Sequence, residues 1–315
     1  IAPDGRSRHK NPASVMSGLV AEGEISEGSA PAGAIGGLST ANLVRKARED
    51  DQVKAVVLRV DSPGGSAFGS ELIRQELELT RKAGKPVVIS MGNVAASGGY
   101  WISMSSDEVI ADAATVTGSI GVFAIFPTVD KVIDKLGVHT AGTTTTWLAD
   151  SFNPLRPLSP KFAEVIQMGV GNIYSEFTHK AAQARKTTPE KIDAVAQGRV
   201  WTGEQAKERG LVDRLGSFKD AIDSAASRAK LGKDFRLAYI ERDMSRFERL
   251  FSMMGETSSG WVKQAINEQF KVAVAPTGIP AAAATEMVKE LGWLADLKKE
   301  NRSYLVMAHC MCSLP

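Results

Sequence analysis

Cysteine is nearly absent: the 315 residues contain two, Cys310 and Cys312, both within the last six positions. With one residue between them a mutual disulfide is strained, and two thiols are too few for a zinc site. Neither a disulfide framework nor a metal centre is expected, and the pair leaves the redox compartment open. Long hydrophobic runs are missing too, since nothing approaches the roughly 18 apolar residues of a transmembrane helix. The chain starts at Ile1 rather than Met and shows no signal peptide. Its polar opening reads as a linker over residues 1–12. These features lead us to expect a piece cut from a longer protein, with any membrane anchor outside this chain. An excess of one charge is lacking as well, with 38 basic against 36 acidic residues. A net +2 without a basic stripe gives no nucleic-acid partner. Pairs such as Arg45-Lys46, Arg81-Lys82 and Lys298-Lys299 read as solvated helix surface.

What is present is an alternation of apolar runs and amphipathic stretches. Val15–Ile25 reads as a strand interrupted by glycine, followed by a helix through Ala41, Val44 and Ala47 with Ser39 or Thr40 as its cap. Val53–Val60 is a nearly continuous apolar run, the kind that fills a sheet covered on both faces. Phe68, Leu72, Ile73 and Leu77 recur at helical spacing, and Val87–Met91 is a second buried strand. Glu108–Asp112 and Thr117–Phe126 add two more strands. Helices are expected over 161–185, 190–196 and from the capping box Thr202-x-x-Gln205 to Gly210. This pattern predicts an α/β fold with a parallel sheet. The main domain is expected over residues 13–235 and a C-terminal extension over 236–315. In that extension Phe235–Ile240 reads as a final strand, and Met244–Phe270 and Glu286–Lys299 read as surface helices.

Two glycine clusters carry candidate chemistry. Asn93-Val-Ala-Ala-Ser-Gly-Gly-Tyr100 follows one buried strand, and Asp61-Ser-Pro-Gly-Gly-Ser66 follows another. Either cluster alone is more often a turn or tight packing. Their occurrence together points to a cleft. Ser97 at a strand-to-helix turn meets the unpaired N–H groups of a helix start, which stabilise an oxyanion. The amide of Gly98 and one from Gly64 or Gly65 are the candidate donors. The reading requires an accessible hydroxyl, and it requires a base to take the proton. Of four histidines, His9 lies in the linker, His309 in the tail and His179 on a solvated helix face. His139, near a strand end, reads better as structural. A desolvated lysine is the other known solution, and no apolar setting singles one out.

From about Val15 to about Ala229 these motifs resemble the signal peptide peptidase A (protease IV) family. The resemblance is carried by Val56–Ser66, Lys85–Ser90, Ala95–Ser103, Thr117–Val122, Gln197–Gly203 and Gly210–Asp213. It implies a ClpP/crotonase-like fold of repeated β-β-α units, Ser97 as nucleophile, and Gly64, Gly65 and Gly98 as the oxyanion hole, with no cofactor and no metal. It also implies a Ser-Lys dyad. Short members place the lysine downstream of the serine in the same segment, where this chain has Thr143–Asp150 and no lysine between Lys135 and Lys161. Long members divide the dyad between two related halves, and this chain is similar to the serine-bearing C-terminal half. That similarity implies a lysine supplied by an N-terminal half, little activity in this chain alone, and a homo-oligomeric ring. The resemblance further implies an anchor in the bacterial inner membrane with the catalytic part periplasmic. Its substrates are cleaved signal peptides and short hydrophobic peptides. Two rivals are a crotonase-type acyl-CoA hydratase or hydrolase, which relies on carboxylates that do not flank Ser97, and a non-catalytic oligomerisation half.

Overall fold

The computed structural model describes residues 14–31, 33–232, 235–241 and 305–309. The linker 1–12 and the helices expected over Met244–Phe270 and Glu286–Lys299 lie outside the described residues. The chain divides into two units, one of residues 1–124, 163–241 and 306–315, the other of 125–162 and 242–305.

In chain order the elements begin with β1 (Val15–Glu22), β2 (Ile25–Ser26), β3 (Ile35–Gly36), α1 (Gly37–Glu49), β4 (Val53–Ser62) and β5 (Gly64–Ser66). Next come α2 (Ala67–Lys82), β6 (Val87–Ala96), α3 (Gly98–Ser103), β7 (Glu108–Ala111), β8 (Val116–Gly118) and β9 (Phe123–Ile125). Then follow α4 (Asp130–Lys135), α5 (Pro160–Ala184), α6 (Pro189–Asp193), β10 (Val200–Thr202), α7 (Gly203–Glu208) and β11 (Arg214–Leu215). The last are α8 (Phe218–Arg228), β12 (Arg236–Tyr239) and β13 (Leu305–His309).

The first unit is built on an eight-stranded sheet ordered β10-β8-β6-β4-β1-β12, with β7 on β6 and β11 on β7. Every pairing in it is parallel except β10 with β8. This is the sheet the strand–helix alternation predicts. Both faces are covered, as the apolar run of β4 requires. Val56, Leu58 and Val60 enter one core with Ile73 and Leu77 of α2 and Val44 of α1. Ala55 and Val57 enter the other with Ala221 and Ala225 of α8. The expected last strand is β12, which pairs in parallel with β1 (Met16 opposite Leu237) and so extends the main sheet.

Several boundaries differ from the sequence reading for local reasons. Helix α1 starts at Gly37 without a side-chain cap. Ser39 Oγ instead donates to Gly36 O and accepts from the Ala30 amide. The run Thr117–Phe126 breaks into β8 and β9 where Gly118, the last residue of β8, and Ser119 take φ of 82° and 49° and turn the chain out of the ladder. The capping box of Thr202 with Gln205 is present, and Gly210 at φ 72° follows the end of α7.

The second unit is held in its described part by aromatic contacts. Phe162 meets Phe126 and Phe152 edge-on, with centroids 5.8 and 4.5 Å apart. Much of its apolar surface is uncovered: Val132, Leu136, Val138 and Trp147 are each more than half exposed.

Candidate active site

Two strands deliver the site. Strand β4 ends at a register shift between Val60 and Ser62, after which Ser62 still pairs with Ala95 of β6. The Asp61 carboxylate accepts from the amides of Asn93 and Val94 at 3.2 and 3.0 Å, tying the end of β4 to β6. Beyond Pro63 the chain leaves this sheet, and β5 joins β2 and β3 in a second one. The segment read as a glycine turn is therefore a short strand. Ser66 ends it and caps α2, its Oγ accepting from the Gly69 amide at 3.0 Å.

Strand β6 runs to Ala96, and Ser97 turns the chain into the six-residue helix α3. Ser97 sits at φ 54°, ψ −114°, a conformation that costs about 1–3 kcal/mol outside glycine. It is over-determined by its surroundings. The Ser97 amide donates to Gly118 O at 2.9 Å, and Ser97 O accepts from the Trp101 amide at 2.8 Å. Gly98 is demanded by close approach: a β-carbon there would lie 2.6 Å from Ser70 Oγ, 3.1 Å from Gly64 Cα and 3.2 Å from Gly65 N. Gly65 at φ 142° is as constrained, since its β-carbon would meet Ile25 O at 2.1 Å. The residues singled out by sequence, Ser97, Gly98, Gly64 and Gly65, are thus gathered at one point.

Two details bear on this site. The Gly64 amide donates to Ser62 Oγ at 3.2 Å, while the Gly65 nitrogen lies 3.2 Å from where a β-carbon on Gly98 would stand. More consequentially, Ser97 is fully buried, and its Oγ has no hydrogen-bond partner among the described residues. The accessible hydroxyl read from the sequence is absent from this arrangement. The edge beside it is also occupied: β13 runs antiparallel along β5, with Met307 opposite Ser66, Ala308 opposite Gly65 and His309 opposite Gly64. The short apolar run Leu305–Ala308 is the signal for that strand, which the sequence reading did not assign.

No base approaches Ser97 among the described residues. His139 contacts Asp134 at 3.2 Å on an exposed loop, and His179 Nδ1 lies 2.7 Å from Ser175 O on its own helix. Burial lowers the pKa of Lys85, but its Nζ donates to the carbonyls of Ala47 and Asp50. Lys85 precedes β6 and Ser97 follows it, so a strand about 33 Å long separates them.

One carboxylate links the helices that follow the two turns, and sequence reading missed it. Glu71 Oε2 accepts from Trp101 Nε1 and Arg74 Nε, both at 2.8 Å. Its Oε1 accepts from Arg74 Nη2 and Gln75 Nε2 at 2.9 Å and from Lys180 Nζ at 3.1 Å. Burial alone raises a carboxyl pKa; here the bonds from Arg74, Trp101 and Gln75, with the Arg74 charge, outweigh it and hold Glu71 down to about 2. Such a carboxylate is a feeble base, which disfavours crotonase-type acid–base chemistry at this position. A separate groove of about 910 Å³ is lined by Arg74, Arg81, Arg185, Asp107 and Asp213 among others, and by none of the gathered glycines or Ser97.

Known proteins resemble this chain over much of its length. The model of peptidase family S49 matches residues 80–232. Protease 4 of Salmonella typhi is 45% identical over 267 residues, which cover 85% of this chain and 42% of that protein. An Enterococcus faecium protein named for the signal peptide peptidase SppA is 35% identical over 218 residues, covering 69% of this chain and 62% of its own. A Synechocystis sp. protein named as a protease is 36% identical over 189 residues, covering 60% of this chain and 68% of its own. The chain spans about half the length of the Protease 4 relatives. Among solved structures, a ClpP1 variant from Listeria monocytogenes aligns with a TM-score of 0.43 at 12% identity, over 65% of this chain and 94% of that one.

Proposed function

The chain belongs to peptidase family S49, and from that premise we propose that it is the serine-bearing part of an endopeptidase that degrades cleaved signal peptides and short hydrophobic peptides. In this reading Ser97 Oγ attacks the scissile carbonyl carbon and gives its proton to a lysine supplied from outside this chain. The carbonyl oxygen, now an oxyanion, is received by the amides of Gly98 and of Gly65 or Gly64. Collapse of the tetrahedral intermediate expels the amine with that proton, and water hydrolyses the resulting ester of Ser97.

The observation that carries the reading is the strained conformation of Ser97, held where three glycines from two strands crowd together. Strain of this kind is retained at sites where geometry serves chemistry. The 42% coverage of the Salmonella typhi relative supports a base from a second half of the protein, and the reading requires that the Ser97 Oγ enclosed here become accessible to it. An extended peptide enters by pairing along β5, the edge that β13 takes here. The exposed apolar side chains of residues 129–158 support self-association into a ring. Placement on the periplasmic side of the inner membrane belongs to the same proposal. Among the described residues no helix is long and apolar enough to cross a membrane.

The test uses the full-length protein, an internally quenched apolar peptide and a fluorophosphonate probe. Labelling of Ser97, and loss of hydrolysis in Ser97→Ala, are expected. Hydrolysis that survives in Ser97→Ala overturns the proposal.

A further inference from the structure

The last rung of the β4–β6 ladder, Ser62 opposite Ala95, joins the two glycine clusters two residues short of Ser97, and beyond it they share no ladder. After it, β5 belongs to the second sheet, whereas α3 continues from β6. Past that rung, no main-chain pairing among the described residues links the Gly64-Gly65 segment to the Gly98 amide. The helices that follow the two turns do touch. Helix α2 starts directly after β5, and Ser70 Oγ holds its first turn to Ser66 O at 2.8 Å. One residue on, Glu71 reaches across to the indole of Trp101 in α3.

We infer that Glu71 is a positioning residue: its carboxylate, fixed between α2 and the Trp101 indole, sets the distance between the two glycine turns and so the placement of the donor amides around Ser97 Oγ. Four observations carry this. The Trp101 amide is the donor to Ser97 O, so a shift of Trp101 is a shift of the strained turn itself. Trp101 is 1% exposed, and its indole packs against Phe177 of α5 with centroids 4.4 Å apart and the rings tilted by 43°, which restrains its orientation. Arg74 grips Glu71 through two bonds and with Nη1 reaches Ser105 Oγ, just past α3, at 2.6 Å. Lys180 of α5 closes the cluster on Glu71 Oε1 at 3.1 Å. A mostly buried carboxylate with five bonds from four residues is a rigid strut, because each bond restricts the others. Its consequence for turnover rests on the proposed peptidase reading; its structural role does not.

The experiment compares Glu71→Ala, Glu71→Gln, Trp101→Phe and the double variant Glu71→Ala/Trp101→Phe in the full-length protein. Hydrolysis of a quenched apolar peptide is read as kcat and KM, and amide exchange over residues 64–70 and 97–103 is read by mass spectrometry. Misplacing donors by a fraction of an ångström is expected to lower kcat about 10- to 100-fold with KM within about threefold. Trp101→Phe is expected to match Glu71→Ala, and the double variant to lose no more than either alone, because both break one strut. Glu71→Gln keeps an acceptor for the indole and is expected to recover most of the rate. A wild-type kcat in folded Trp101→Phe, or losses that multiply in the double variant, overturns the inference. If Glu71→Ala does not fold, Trp101→Phe decides alone. If wild type itself shows no Ser97-dependent hydrolysis, the peptidase reading falls. The strut is then judged by exchange, which must quicken in both segments of Trp101→Phe or the inference fails with it.

Discussion

Gly98 and Gly64 are in backbone contact: a β-carbon on Gly98 would stand 3.1 Å from the α-carbon of Gly64. Gly64 lies in β5 and Gly98 opens α3, and so close an approach requires that Gly98 carry no side chain. A β-carbon on Gly98 would also stand 2.6 Å from Ser70 Oγ, so any substitution there must displace Ser70 as well as press on main chain.

Gly98→Ala is accordingly expected to lower kcat/KM by about 100- to 1000-fold through displacement of a donor amide. It is expected to cost about 1–3 kcal/mol of stability. Steady-state kinetics and a thermal melt on the same preparation check both. Wild-type turnover would remove Gly98 from the site.

Ser97→Gly separates stability from function. The native residue combines φ 54° with a buried hydroxyl that finds no partner among the described residues, and each feature destabilises the fold. The variant is expected to abolish hydrolysis and to gain about 1–2 kcal/mol in denaturant unfolding. A loss of stability would show that the turn is not strained.

Acid stability is expected to depend on Glu71. Its native pKa of about 2 lies below the ordinary carboxyl value of 4.5, so its contribution is complete above pH 4.5 and disappears as pH falls toward 2. The ceiling of that contribution is roughly 3 kcal/mol. Unfolding midpoints followed across this window should fall less steeply in Glu71→Gln. Parallel curves for the two proteins would assign the acid transition to other groups.

Removing β13 should open the site. Its pairing opposite Gly64–Ser66 occupies the edge an extended peptide needs. Deletion of residues 305–315 is expected to raise the rate of Ser97 labelling by a fluorophosphonate several-fold, since peptide and tail cannot share one edge. An unchanged rate means that access to Ser97 is governed elsewhere.

Much of this architecture was legible in the chain. The apolar run of Val53–Val60 announced a strand covered on both faces, and β4 is buried between α1 and α2 on one side and α8 on the other. Ser97 and the glycines around it were recognisable because nucleophile chemistry at a strand-to-helix turn demands small neighbours. Capping residues such as Thr202 with Gln205 were readable because their bonds span three positions. Not legible were the breaks in Thr117–Phe126, where positive φ at Ser119 accompanies a bond from its amide to Arg199 O, far away in sequence.

Sequence alone determined which residue types stand at the turns and which stretches must be buried, because both follow from local sterics and from periodicity of apolar side chains. Tertiary structure alone decided that Ser97 is enclosed, that Gly64 and Gly65 both crowd Gly98, and that Glu71 joins the two helices. Each of these depends on where a sheet ends and which edges meet. Such meetings are settled by packing between segments distant in the chain, and no spacing within either segment encodes them.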